Sequence, residues 1–177
     1  MGIRTIDEKY RVFRSGQTVV DLGYAPGSWS QMAVIRTKPN GRVLGVDINP
    51  AQPLKGVSAI QGNFLDPKVQ AHLQMLLRGP EGDKSSEISD TRSDLCHAAL
   101  LFSYKALKIG GHFICKFYQG AEDRDLEHQL KALFEKVHRV KPQSSRNESK
   151  EAFFIGLRRK QTTKDEPFTG THDKDAK

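Results

Sequence analysis

The chain has 177 residues, 37% of them apolar and 28% charged, with a formal charge of +7, a pI near 9.5 and a mean hydropathy of −0.57. That length buries one ordinary core, and no apolar run reaches the roughly 18 residues that a membrane span needs. The positive balance favours an anionic partner, nucleic acid first, over a basic surface kept for solubility alone.

Folded-looking sequence begins within the first ten residues, with no signal or transit segment ahead of it, so the expectation is that the native amino terminus is missing. Thr18–Leu22 (TVVDL) reads as a strand. A helix follows over 28–36, with Ser28 as N-cap, and Pro39-Asn40-Gly41 closes it with turn chemistry. RVLGVDI (42–48) is a second strand and Val57–Gln61 a third, followed by a helix with apolar residues at Val69, Leu73, Leu76 and Leu77. The segment RGPEGDKSSEISDTRS (78–93) is polar and lacks anything resembling a buried strand; a structureless stretch of this length is uncommon inside a compact domain.

Order is expected again from Asp94, where DLCHAALLFSYKALK makes an amphipathic helix ending at Gly110-Gly111. HFICKFY (112–118) is a strand, 123–137 a helix, and AFFIGL (152–157) a closing strand; the tail 161–177 is polar and expected to be disordered. Short aliphatic runs alternating with amphipathic helices predict a parallel α/β sheet. The two cysteines, Cys96 and Cys115, lie in apolar stretches and read as buried hydrophobes rather than a disulfide, which suits a reducing compartment. The six histidines show no metal-ligand spacing, so no metal site is expected.

Sheets of this kind bind ligands beyond the carboxyl ends of their strands. The first strand ends at Asp21-Leu22-Gly23, and the loop 24–29 covers that end, with Gly27 permitting close backbone approach or positive φ. Asp47 ends the second strand about twenty residues further on, where a carboxylate can accept hydrogen bonds from a ribose diol. The loop lacks the G-x-G-x-x-G spacing of a pyrophosphate site, which disfavours NAD; a ligand with adenosine and no phosphate, such as S-adenosylmethionine, fits better. Taken alone, the glycine turn would be a plain connection and Trp29 a core residue.

Lys116 interrupts the apolar strand FICKFYQG, and Glu151 precedes the last strand. A lysine there either faces solvent at a strand end or pairs with an acid, for which Glu151 is the candidate. Were it desolvated, its pKa would fall toward the range of a base.

DLGYAPGSWSQ, GVDINP, QGNFLD, GGHFICKFYQG and KPQSSRNESKEAFF, in this order and over most of the chain, resemble the motifs of the FtsJ-like ribosomal RNA 2′-O-methyltransferases. DLGYAPG, DLCHAALLF and CKFYQGAED are most similar to the fungal mitochondrial large-subunit branch. The resemblance implies a Rossmann-like class I methyltransferase sheet with helices on both faces over residues 1–160, S-adenosylmethionine as donor, ribosomal RNA or a pre-ribosomal particle as acceptor and a mitochondrial location; a monomer is the separate expectation. It places Pro26, Gly27, Ser28 and Trp29 against the cofactor, Asp47 on its ribose and Asn63, where the family usually has an acid, beside the adenine.

The family's catalytic set is two lysines, an aspartate and a glutamate. Lys116 is similar to the second lysine and Glu151 to the glutamate. Gly2 stands at the position of the first lysine, and the strand ending in S-D-M-A-P is missing, with Ile88-Ser89-Asp90 as its nearest remnant. The expectation is a sheet without one central strand, through a deletion around 79–93. Lys116 would orient the 2′-hydroxyl or take its proton, with Glu151 holding the lysine and no metal needed. Lys141, Arg146, Lys150 and Arg158 are candidate phosphate contacts, which would make RNA binding salt-sensitive. The competing expectation is a catalytically impaired RNA-binding or ribosome-assembly module that keeps the fold.

Overall fold

A computed structural model describes residues 2–52, 54–78, 95–120, 123–141 and 150–161. These residues fall into two compact units, one up to Arg78 and one from Leu95 onward. The segment 79–94 with Asp90, the stretch 142–149 with Arg146, and all of the tail beyond Gln161 lie outside the described residues.

In the first unit the order is α1 (Ile3–Tyr10), β1 (Thr18–Leu22), α2 (Ser28–Thr37), β2 (Arg42–Asp47), β3 (Val57–Gln61) and α3 (Pro67–Arg78). The three strands pair in parallel in the order β1-β2-β3, with Leu22 beside Val46 and Asp47 beside Gln61, so their carboxyl ends lie together. The middle strand is buried from Val43 to Asp47, as expected where both faces of a parallel strand are covered. Gly45 sits under the ring of Tyr24, where an added Cβ would come within 2.8 Å of the ring carbons. Helix α1, absent from the sequence reading, buries Ile3 and Ile6. Its Asp7 accepts a hydrogen bond from the Phe13 N–H and pairs with Arg36 of α2 at 3.3 Å.

The second unit runs α4 (Leu95–Ala106), β4 (Phe113–Tyr118), α5 (Asp123–Leu133), β5 (Phe134–Val140) and β6 (Glu151–Arg159). Its strands pair antiparallel in the order β4-β6-β5, correcting the expectation of parallel strands throughout. The described strands thus form two sheets of three. Helix α5 ends at Leu133 rather than 137, and Phe134–Val140 is a strand instead. Strand β6 offers it a ladder from Phe134 opposite Arg159 to Val140 opposite Phe153, interrupted only at Glu135, and pairing of that length overrides a helical apolar spacing.

The core of this unit gathers Leu100, Leu126, Leu130 and Leu133 from the helices against Phe113, Cys115, Phe117 and Phe154 from the sheet. Phe117 and Phe154 stack at 4.1 Å between ring centroids. Cys115 is buried as read from sequence, and half-buried Cys96 donates its S–H to the Lys116 carbonyl at 3.2 Å. Arg159 donates to the carbonyls of Tyr104 and Leu107 at the end of α4, a cation satisfying orphan helix-end acceptors.

Candidate functional site

The carboxyl end of the first sheet is built by backbone turns locked to acidic side chains. Strand β1 stops where the Gly23 N–H donates to the Val46 carbonyl at 2.7 Å, and the loop 23–27 then crosses toward β2. The Asp47 carboxylate accepts the Ala25 N–H at 2.9 Å through Oδ2 and the Asn49 N–H at 2.8 Å through Oδ1. One side chain therefore fixes both the loop after β1 and the turn after β2. The Asp47 carbonyl accepts the Gly62 N–H, which adds the end of β3 to the same cluster.

Gly27 is buried and has φ +116. An L side chain rarely adopts that conformation, and a Cβ there would overlap Leu54 Cδ1. Gly27 is also the N-cap of α2, with no side-chain cap, so Ser28 is the first helical residue and exposed rather than the cap expected from sequence. The turn delivers the chain already at the helix start, and the serine falls one position too late to cap it. Pro26 is exposed and Trp29 half-buried.

Behind the loop, Ser30 Oγ donates to Asp21 Oδ2 at 2.6 Å. Burial pushes the Asp21 carboxyl above its usual range; the Ser30 bond opposes this and the nearby Asp47 charge adds to it. Asn63 is exposed, and its side-chain oxygen accepts the Leu65 N–H at 3.0 Å. The structure thus brings Gly27, Asp47 and Asn63 to one end of one sheet. These groups fit a nucleoside: each Asp47 oxygen has accepted one N–H and retains a lone pair for a hydroxyl. Asp21 and Ser30 belong to this end too; the sequence signal for them was the acid closing the first apolar run.

In the second unit Lys116 and Glu151 meet as the sequence proposes. Lys116 lies opposite Phe153 and Tyr118 opposite Glu151, so the two charged residues are diagonal neighbours on one face, within reach for long side chains. Nζ to Oε1 is 2.8 Å, with 52% of the lysine and 32% of the glutamate side chain exposed. The hydrogen bond to Glu151 raises the Lys116 pKa above its ordinary value and outweighs a smaller desolvation effect. The desolvated lysine poised as a base is therefore corrected: it is half-exposed, and the carboxylate keeps it an ammonium.

Of the candidate phosphate contacts, Lys141 and Lys150 are exposed. Arg158 is turned to Glu135 at 2.6 Å, which neutralises it locally. Gly2 caps α1 through its carbonyl and brings no side chain. Among the described residues no group of three or more His, Cys, Asp or Glu could hold a metal ion, and no described helix is long and apolar enough to cross a membrane.

Comparison with known proteins gives consistent matches over most of the chain. The family described as FtsJ-like methyltransferase matches residues 2–159. The mitochondrial rRNA methyltransferase 2 of Schizosaccharomyces pombe is 36% identical, over 88% of this chain and 82% of its own. Ribosomal RNA large subunit methyltransferase E of Thiobacillus denitrificans is 38% identical, over 86% and 75%. Among solved structures, a Plasmodium falciparum protein described as a ribosomal RNA methyltransferase superposes with a TM-score of 0.72 at 24% identity, covering 89% of this chain and 94% of that one. Aeropyrum pernix fibrillarin, solved with S-adenosyl-L-methionine bound, superposes with a TM-score of 0.52 at 16% identity, over 81% and 67%. These two likenesses show a Rossmann-like methyltransferase fold.

Proposed function

This chain belongs to the FtsJ-like methyltransferases, and from that premise we propose that it methylates the ribose 2′-hydroxyl of large-subunit ribosomal RNA with S-adenosylmethionine, residues 1–160 working as one catalytic domain. The observation that carries the reading is the Lys116–Glu151 pair, set on an exposed strand face in a chain whose other unit holds a nucleoside-compatible strand end. The likeness to the Schizosaccharomyces pombe enzyme supports mitochondrial RNA as the substrate.

In the first unit, Asp47 accepts the ribose hydroxyls, the turn of Pro26, Gly27, Ser28 and Trp29 lies along the cofactor, and Asn63 offers its amide to the adenine edge. Bound S-adenosylmethionine supplies a methyl group on a sulfonium, already a good leaving group. The protein's part is therefore mostly alignment of the attacking oxygen. Lys116, kept charged by Glu151, donates a hydrogen bond to that oxygen and orients it; as the oxygen–methyl bond forms and the sulfur–methyl bond breaks, the hydroxyl proton passes to solvent water, since an Nζ already held as an ammonium takes none. Lys141 and Lys150 lie at the same end of the second sheet and contact phosphates.

The test is calorimetric titration of the purified chain with S-adenosylmethionine, followed by methyl transfer to unmodified mitochondrial large-subunit rRNA transcript. Saturable binding and an alkali-resistant methylated linkage are expected. RNA binding without transfer would overturn the enzymatic reading and leave the impaired RNA-binding module in its place.

A further inference from the structure

Tyr118 is 73% exposed, the most open large apolar side chain among the described residues of either sheet. It closes β4 two residues after Lys116, so both side chains leave the same face of the strand, and its register partner on β6 is Glu151. Exposed Lys141 follows β5 and exposed Lys150 precedes β6 at this end of the sheet. The Gln119 N–H donates to the Lys150 carbonyl at 2.7 Å, which fixes that lysine's backbone beside the end of β4.

An aromatic ring left in water beside a charged pair, with two more cations around it, matches the chemistry of a single-stranded nucleic acid: a π-face for a base and ammonium groups for phosphates. From this arrangement we propose that Tyr118 is a stacking platform for an unpaired base of the RNA, holding the strand so that a ribose hydroxyl meets Lys116. The proposal rests on the methyltransferase reading for its substrate. Stacking accepts any base, so the ring contributes hold and placement, and sequence choice falls to other groups.

The experiment compares wild type, Tyr118→Ala and Tyr118→Phe for affinity to the unmodified rRNA transcript, its salt dependence, methyl transfer, and S-adenosylmethionine binding by calorimetry. Tyr118→Ala should weaken RNA binding about tenfold, leave the slope of log affinity against log salt unchanged because the ring neutralises no phosphate, and leave cofactor binding intact as proof of folding. Tyr118→Phe should stay within about twofold of wild type, since the π-face remains. Equal RNA affinity in Tyr118→Ala and wild type would overturn the proposal, as would a Tyr118→Phe defect as large as that of alanine, which would assign the role to the hydroxyl. Loss of binding to ribosomal particles with unchanged affinity for naked RNA would place a protein against the ring and equally overturn it. A wild type that binds RNA through Tyr118 but transfers no methyl group would sink the enzymatic reading and keep the platform.

Discussion

The two sheets hold their candidate functional groups in opposite ways. In β1-β2-β3, the acids at the strand ends are committed to the fold: Asp47 is 8% exposed and fixes two backbone N–H groups, and half-buried Asp21 accepts the Ser30 hydroxyl. In β4-β6-β5, Lys116 and Glu151 project from the face of an antiparallel ladder, half-open to water and tied to each other. The first arrangement couples ligand recognition to folding. The second leaves chemistry nearly independent of stability, because an exposed ion pair contributes little to the folded state.

Substitutions on the two sides should separate these regimes, and Asp47→Ala should have the largest effect. It strips the partner from the half-buried Ala25 N–H and from the N–H of exposed Asn49, which water can satisfy, and one unsatisfied buried donor costs about 1–3 kcal/mol. Urea denaturation should show a loss of about 1–3 kcal/mol together with lost S-adenosylmethionine binding in calorimetry; full stability would show that water replaces the carboxylate at no cost. Lys116→Ala should cost less than about 1 kcal/mol by the same measurement, yet lower single-turnover methyl transfer by on the order of a hundredfold.

The smallest effect concerns pH. Asp21 has a folded pKa raised by burial, so the folded state binds its proton more tightly than the unfolded state does. Its contribution is fully present below the unfolded carboxyl value and is lost as pH rises through the folded one. Asp21→Asn keeps an acceptor for Ser30 and removes the buried charge. It should therefore show a slightly higher urea midpoint than wild type at neutral pH, with the gap closing on acidification; a gap that widens in acid would reverse the sign of the coupling.

Much of the first unit was legible because its chemistry sits in local punctuation. An acid closing an apolar run, a Pro-Gly turn and a second acid at the next strand end mark the site before any folding. The Lys116–Glu151 pairing was also legible, since a lysine inside an apolar strand demands a partner and few acids were placed to meet it. The charge state of Lys116 was not legible, because it depends on how much of the side chain faces water, and that is set by the pleat of β4 and its diagonal neighbour. Strand β5 was hidden for a related reason. The spacing of Leu126, Leu130, Leu133 and Val137 continues a helical period, and only the ladder to β6, made by residues far along the chain, turns FEKVHRV into a strand. Ser28 was misplaced by one residue because a cap is decided by backbone geometry at Gly27, which the serine's identity does not reveal.

The strand order of the second sheet also bears on vectorial synthesis. During translation β1, β2 and β3 appear in the order in which they stand side by side, so each new strand finds its neighbour already made. In the other sheet the middle strand is β6, the last of the described strands to emerge. Until Glu151–Arg159 leave the ribosome, β4 and β5 have no ladder to join in this sheet, and a nascent chain carries two unpaired edges that a chaperone would have reason to shield.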